Sequence, residues 1–167
     1  MELAFRTFPR HESPGYVIYR TAIQLKVGLS REFQANGFHV TPEQWGVLSI
    51  LWEKDGIHQS LLAERAAKDR HNIARILTLL EKRGLIRRTP HPEDKRCQKV
   101  YLTEQGQALK AKLIPIVTDF LNRALAGLTQ DDLAQVNRIL GHIVKNLTGA
   151  ADPLSSSLDQ CEEAHAP

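Results

Sequence analysis

Apolar residues recur at intervals of three and four along much of this chain, the spacing that places them on one face of an α-helix. One such stripe covers about residues 14–36. A second helix is predicted to begin at Thr41, which can accept the Gln44 amide hydrogen while Pro42 fills the first helical position. Two further helices are predicted in 104–147, beginning after Thr103 and Thr129. The chain is therefore predicted to be mainly helical.

The centre of the chain has the outline of a helix-turn-helix followed by a β-hairpin. A short helix is expected over 59–66, and the next begins within three residues at Asp69. The helix that begins at Asp69 has a regular apolar side, formed by Ile73, Ile76, Leu77 and Leu80. Residues 85–89 and 98–102 are predicted as two strands around a long charged tip. The fold class is thus mainly α with a small β-hairpin wing, which together make a winged helix-turn-helix lobe.

Positive charge is concentrated in this central part. Residues 65–100 hold eleven Lys and Arg and four acidic residues, a net charge of +7, whereas the whole chain carries only +3. The rest of the chain is therefore net acidic, at −4. A positive segment in an otherwise acidic protein is what binding to a phosphate backbone requires. A solvated charged face is the alternative explanation from charge alone.

Composition and motifs exclude several other classes. No apolar run approaches the ~20 residues of a membrane-spanning helix, and no signal-peptide layout is present, so a cytoplasmic protein is expected. The sequence has no glycine-rich phosphate loop, nucleophile motif or metal-ligand spacing, which argues against an enzyme, a cofactor and a metal site. Cys97 and Cys161 are expected to be free thiols. Residues 1–13 are predicted to form a flexible arm, and 148–167 a disordered tail.

Six stretches, in this order, resemble the MarR family of transcriptional regulators over about residues 14–147. They are Thr41-Pro42-Glu43-Gln44-Trp45; Gln59 with Leu62-Ala63; Asp69-Arg70 with Ile73 and Arg75; Leu80-Glu81-Lys82-Arg83-Gly84-Leu85-Ile86-Arg87-Arg88; Pro92-Glu93-Asp94-Lys95-Arg96; and Leu102-Thr103-Glu104-Gln105-Gly106. The resemblance implies a homodimer in which helices of 14–36 and 104–147 interlock, with 41–103 as the DNA-binding lobe. It further implies a palindromic double-stranded operator and a repressor released by a small aromatic acid or a related ligand.

The second helix of the helix-turn-helix is expected to read bases in the major groove. Arg70 and Arg75 can each donate in a planar fork to guanine, and Asn72 can pair with adenine, unless it only supports the Asp69 cap. The set predicted to contact DNA is Lys68, Arg70, His71, Asn72 and Arg75, together with Asp94, Lys95 and Arg96 of the wing. In the wing, Asp94 can brace Arg96 for entry into the minor groove, and by resemblance Arg96 is the foremost DNA contact. Arg87, Arg88, Lys95 and Lys99 are expected to touch phosphate or to raise the local potential.

Two departures from the family pattern concern the target sequence. His91-Pro92 stands where the wing often opens with Asp-Pro, and His71-Asn72 replaces small hydroxyl residues early in the recognition helix. Both changes affect which bases are read, and neither removes the predicted DNA-binding surface.

Arg20, His39 and Trp45 lie where the family pocket is built, and they offer a charge, a titratable donor and an aromatic wall. An aromatic carboxylate would suit such a site. The structural alternatives are a core position for Trp45, a dimer salt bridge for Arg20 and a plain loop position for His39.

Two other modes of action stay open at this point. Cys97 next to Arg96 suggests a thiol-based redox sensor, although redox members of the family use a cysteine near the first helix, where this chain has none. Non-specific architectural binding would instead show affinity that is indifferent to sequence and falls steeply with salt.

Overall fold

The computed structural model describes residues 9–90 and 98–149, which form six α-helices, one 3₁₀ turn and one small sheet. The 3₁₀ turn is Arg10–Glu12. The remaining elements are α1 Pro14–Ala35, α2 Pro42–Glu53, β1 Ile57–His58, α3 Gln59–Arg65, α4 Arg70–Lys82, β2 Ile86–Pro90, β3 Gln98–Leu102, α5 Glu104–Ala124 and α6 Gln130–Thr148. The predicted fold class is confirmed: a helical protein with a small antiparallel sheet and the arrangement of a winged helix.

Side-chain caps explain where four of the helices begin. The Thr41 hydroxyl accepts the Gln44 amide hydrogen at 3.2 Å while Gln44 Oε1 accepts the Thr41 amide, so the predicted capping box is present. Asp69, Thr103 and Thr129 accept the amide hydrogen three residues later in the same way. Each cap satisfies a backbone donor that has no partner inside its helix, and this fixes the first turn.

The sheet contains one strand more than the sequence predicted. β2 and β3 pair as the expected antiparallel hairpin, with Arg88 opposite Val100, and β2 runs one residue later than predicted. β1 pairs with the other edge of β3, so the order is β1-β3-β2. β1 has only two residues, and its hydrogen bonds come from its neighbour, so no alternation along the sequence could have indicated it.

The core lies between α2, α3, α4, the sheet and the adjoining parts of α1 and α5. Phe33, Leu48, Leu62, Leu77 and Leu113 are completely buried there. The start of α5 is held tightly to this core at Gly106, where an added Cβ would lie 2.0 Å from the Leu85 carbonyl oxygen. The Trp52 indole also donates to the Gly106 carbonyl oxygen at 3.1 Å. The winged lobe and α5 are therefore joined by direct packing.

Much of the apolar surface of α1 and α6 lies outside this core. No residue of α6 is buried, and this helix has at most slight contact with the other described elements. On α1 only Phe33 is buried. The exposed apolar side chains of these two helices include Val17, Ile18, Tyr19, Ile23, Val27, Val136, Ile139 and Leu147. None of the helices in residues 9–90 and 98–149 has the length and apolar character needed to cross a membrane.

The turn between α3 and α4 contains a strained backbone position. Ala67 has a φ of +47°, in the left-handed region that costs a residue with a Cβ roughly 1–2 kcal/mol. The turn needs this conformation because the next amide, of Lys68, returns to donate to the Ala63 carbonyl oxygen at 2.9 Å. The left-handed conformation of Ala67 therefore ends α3 and turns the chain toward α4.

Ala67→Gly is expected to raise the free energy of unfolding by about 0.5–1 kcal/mol. Glycine adopts positive φ without strain, and this gain exceeds the roughly 0.5–1 kcal/mol of additional entropy that glycine loses on folding. Urea denaturation at fixed protein concentration measures this difference. Ala66→Gly is the matched control. Ala66 is the C-terminal cap of α3 and has a φ of −78°, where glycine relieves no strain, so the same change there is expected to destabilise the protein. A loss of stability in Ala67→Gly as large as that in the control would contradict the strain.

Candidate nucleic-acid interface

The beginning of α4 is fixed by Asp69 and Asn72. Asp69 Oδ1 accepts the Asn72 amide hydrogen at 2.8 Å, and the Asn72 side-chain amide donates to Asp69 Oδ2 at 2.6 Å. These two hydrogen bonds hold the pKa of Asp69 below its ordinary value, and the bond from the Asn72 backbone has the larger effect. Asn72 thus supports the cap in the free protein. Pairing with adenine through both groups of its amide would require a change in the bond to Asp69.

The exposed side of α4 presents a group of cations. Ile73, Ile76, Leu77 and Leu80 are buried as predicted, so the opposite side of the helix faces solvent. Five predicted DNA-binding residues are exposed together at the start of this helix: Lys68, Arg70, His71, Asn72 and Arg75. In the part of the chain that the structure describes, no ion pair involves Lys68, Arg70 or Arg75. Among the residues that the structure describes, no carboxylate forms an ion pair with these three charges. Asp94, Lys95, Arg96 and Cys97 lie outside the described residues.

The two arginines of β2 are already engaged within the lobe. Arg88 forms an ion pair with Glu81 of α4, with 2.5 Å between Nη2 and Oε2. The Arg87 guanidinium lies over the Tyr101 ring, 4.5 Å from its centroid. Both had been expected to touch phosphate or to raise the potential. For Arg88 the expectation needs correction, because the adjacent carboxylate compensates its charge and holds its guanidinium against α4.

Arg83 joins the end of α4 to the loop before α2, a role that the sequence did not indicate. Its Nη1 donates to the His39 carbonyl oxygen at 2.6 Å and to Gln44 Oε1 at 3.1 Å. Gln44 is the buried polar side chain of the described core. The capping box was the available signal for this contact. In that motif Gln44 Oε1 accepts the Thr41 amide, and an amide oxygen can accept from a second donor, which here is Arg83. Arg83 thereby links the recognition helix to the segment that follows α1.

A cleft of about 500 Å³ lies between α1, α5 and the 3₁₀ turn. Arg20 lines it, together with His11, Tyr16, Val17, Thr21, Gln24, Leu25, Phe120 and Ala124. The Phe120 ring packs directly over Gly28, where an added Cβ would lie 2.6 Å from the ring edge. The cleft therefore combines an apolar wall with one cation and several hydrogen-bonding side chains.

The structure does not bring the three predicted effector residues together. Trp45 packs between Phe33 and Trp52, with ring centroids 6.2 Å and 5.3 Å away. His39 has an exposed side chain, and its carbonyl oxygen accepts from Arg83. Phe33 lies thirteen residues after Arg20 on α1, which corresponds to about 20 Å along a helix. Of the three, only Arg20 lines the cleft, and the aromatic wall beside it is Phe120.

This geometry defines a winged helix-turn-helix DNA-binding protein. The profile of the MarR family matches residues 40–98. The transcriptional regulator HosA of Escherichia coli O111:H- is 37% identical over 103 residues, which cover 59% of this chain and 76% of HosA. Three further HosA sequences of Escherichia coli are 38% identical over 77 residues, which is 57% of their length. The chain belongs to the MarR family and is a DNA-binding transcriptional regulator.

Solved structures of the same fold include complexes with DNA and with a ligand. The transcriptional repressor CouR bound to a 23-mer DNA duplex is 26% identical, with a TM-score of 0.72, over 86% of this chain and 98% of CouR. CouR from Rhodococcus jostii RHA1 bound to p-coumaroyl-CoA is 21% identical, also with a TM-score of 0.72, over 82% of this chain and 95% of that one. The second similarity shows the fold alone.

Proposed function

We propose that this regulator is a repressor that binds a palindromic operator as a homodimer and is released by a small aromatic acid or a related ligand. The observation that carries the proposal is the group of exposed cations at the start of α4, which form no ion pair within residues 9–90 and 98–149 and stand beside a hairpin wing. An α-helix fits the major groove, and side chains near its start reach base edges first. The similarity to the DNA-bound repressor CouR supports repression.

The individual DNA contacts are proposed from side-chain chemistry. Arg70 and Arg75 read guanine, whereas Lys68 and His71 contact phosphate or base edges near the same groove. Asn72 has a double role, because it supports the Asp69 cap of α4 in the free protein and offers its amide to adenine. In the wing, Asp94, Lys95 and Arg96 are proposed to contact the adjacent minor groove, with Arg96 inserted.

The exposed apolar surfaces of α1 and α6 support a homodimer. A helix with one apolar side and no buried residue is stable only when another surface covers that side. A second copy of this chain provides the same surface through a twofold axis, which also presents two recognition helices to the DNA. Residues 14–36 and 104–147 are therefore proposed as the dimerisation part, and 41–103 as the DNA-binding lobe.

Selection of bound duplexes from a random pool tests the DNA-binding proposal. The pool is offered to the full-length protein at moderate ionic strength, and the recovered sequences are compared with random competitor. The expected result is a palindrome whose half-sites are spaced by about one DNA turn, ~34–36 Å. If selected and random duplexes bound equally well at each salt concentration tested, the protein would not be a sequence-specific regulator. Architectural binding would then be favoured.

Arg20→Met is expected to weaken binding of aromatic carboxylates by about tenfold or more, because it removes the cation that lines the cleft. Calorimetry with benzoate, 4-hydroxybenzoate and p-coumarate measures the affinity, and release of the selected duplex measures the response. Arg31→Met is the matched control, since Arg31 is an exposed cation of α1 outside the cleft. Equal affinities for the two variants would contradict the role of Arg20, and no heat from any of these acids would contradict the ligand class.

A further inference from the structure

The last turn of α4 is joined to the wing by Glu81 and Arg88. Glu81 Oε1 accepts the backbone amide hydrogen of Arg88 at 3.0 Å. Glu81 Oε2 accepts from Arg88 Nε at 3.0 Å and from Nη2 at 2.5 Å. The same Nη2 also lies 3.4 Å from the Thr78 hydroxyl, one turn earlier on α4. One carboxylate thus holds both the main chain and the side chain of the central residue of β2.

This pair has the features of a persistent contact. The Arg88 and Glu81 side chains are 20% and 36% exposed, so the pair is partly shielded from solvent and less screened than a fully exposed ion pair. Nε and Nη2 of the planar guanidinium converge on one carboxylate oxygen, Oε2, while Oε1 accepts the backbone amide, and three bonds restrict the geometry more than one would. The Arg88 side-chain hydrogen bonds hold the pKa of Glu81 below its ordinary value, so the carboxylate stays ionised at neutral pH.

The contact acts on the outer part of β2. Arg88 lies opposite Val100 in the hairpin, and β3 also carries β1 on its other edge. The sheet packs on the helices through the buried side chains of Ile57, Ile86 and Val100. A short turn through Gly84 joins α4 to β2, and the Glu81–Arg88 pair adds a polar contact between the two. The turn itself is bonded from the Leu85 amide to the Leu80 carbonyl oxygen. Ile86 is the buried residue of β2, and from Arg87 to Pro90 the strand is partly or fully exposed. The Glu81–Arg88 pair therefore ties this outer part of β2 to α4.

We propose that Glu81 is a positioning residue for DNA binding, which through Arg88 sets the wing at the distance from α4 that two consecutive grooves require. The inference rests on the proposed function, in which α4 and the wing occupy adjacent grooves. Glu81 touches no DNA in this arrangement. Its effect is to hold β2 against α4 before binding, so that less conformational entropy is lost when the duplex binds.

Because Glu81 is negatively charged, a positioning role and a simple electrostatic role predict opposite changes in DNA affinity when it is replaced. Glu81 is negative and belongs to the DNA-binding lobe, so its simple electrostatic effect is to repel phosphate, and its removal should tighten binding. A positioning role predicts the reverse. Glu81→Gln is therefore expected to bind the duplex selected by the wild-type protein about tenfold or more weakly, although its net charge is more favourable.

The experiment measures the affinity of full-length variants for that selected duplex at several salt concentrations. Glu64→Gln is the matched control, because Glu64 is an exposed carboxylate of α3 in the same lobe. It is expected to bind as tightly as the wild type or slightly more so. The double variant Glu81→Gln/Arg88→Gln has the net charge of the wild type. It is expected to lose about as much affinity as Glu81→Gln alone, because both remove the same contact.

The salt dependence separates positioning from loss of stability. Misplacement of the wing removes its phosphate contacts, so the slope of log affinity against log salt should become shallower by about one unit or more in Glu81→Gln. Global destabilisation lowers the folded fraction without changing the slope, and thermal unfolding measures that fraction. Wild-type affinity or tighter binding in Glu81→Gln, or an unchanged slope in the folded variant, would overturn the proposal. Arg75→Ala tests the proposed function separately. If this variant bound the selected duplex as tightly as the wild type, base reading by α4 would be contradicted, whereas the positioning role of Glu81 would not.

Discussion

Val136→Glu is expected to convert the protein from a dimer to a monomer at micromolar concentration and to lower its affinity for the selected duplex by about a hundredfold or more. Val136 belongs to the apolar side of α6 and is 46% exposed in the single chain. In the proposed dimer a second copy covers it, so glutamate there would place an unpaired charge in an apolar interface. Each released protomer could then grip only one half-site.

Sedimentation velocity measures the first effect, and a titration of the labelled duplex measures the second. Gln135→Glu adds the same charge one residue earlier, on the polar side of α6, and is expected to leave both the dimer and the affinity intact. Circular dichroism confirms that the helices remain folded in both variants. A wild-type protein that sediments as a monomer, or a Val136→Glu protein that remains a dimer, would contradict an interface built on α6.

The parts of this fold that were predictable from the sequence are those with local causes. Thr41, Asp69, Thr103 and Thr129 each begin a helix where the sequence placed it, because a cap needs only its own side chain and an amide three residues later. The buried side of α4 was equally predictable, since its spacing follows from the geometry of one helix. β1 was not predictable, because its pairing depends on a strand about forty residues away.

The charged site was only partly predictable for a similar reason. Counting charges identified the positive segment correctly, but it gave Arg75 and Arg88 equal weight. The structure distinguishes them, because Glu81 compensates Arg88 while Arg75 faces solvent without an ion pair in the described chain. Whether a charge is free or compensated depends on contacts between elements. A sequence pattern contains no direct information about such contacts.

The predicted effector residues show the same limit in the part of the molecule formed by α1 and α5. The sequence pattern assigns Arg20 and Trp45 to one pocket. In the structure Arg20 lines the cleft between α1 and α5, whereas Trp45 packs against Phe33 and Trp52. The cleft beside Arg20 is completed by Phe120 of α5, a residue about one hundred positions later. The close approach of α1 and α5 at Gly28 places that ring there. Helix packing, rather than the spacing of residues along the chain, determines which side chains meet.

Arg75→Ala is expected to lower the affinity for the selected duplex by about thirtyfold to more than a thousandfold. Each good contact between an arginine and a base contributes ~1–3 kcal/mol of discrimination, and a palindromic operator contains the contact twice. Arg75 is exposed one turn after His71, on the side of α4 opposite the buried residues. Within the described ranges its guanidinium has no ion pair that must break before it donates to a base.

Lys82→Ala separates base reading from the general effect of positive charge. Lys82 ends the same helix, is exposed, and carries the same charge as Arg75. Its loss is expected to weaken binding by less than about tenfold and to the same extent on selected and random duplexes, because a phosphate contact is indifferent to sequence. Arg75→Ala should instead reduce the preference for the selected duplex over random competitor. If both variants weakened both duplexes equally, Arg75 would be a backbone contact, and the reading of bases would have to come from the other exposed residues of α4.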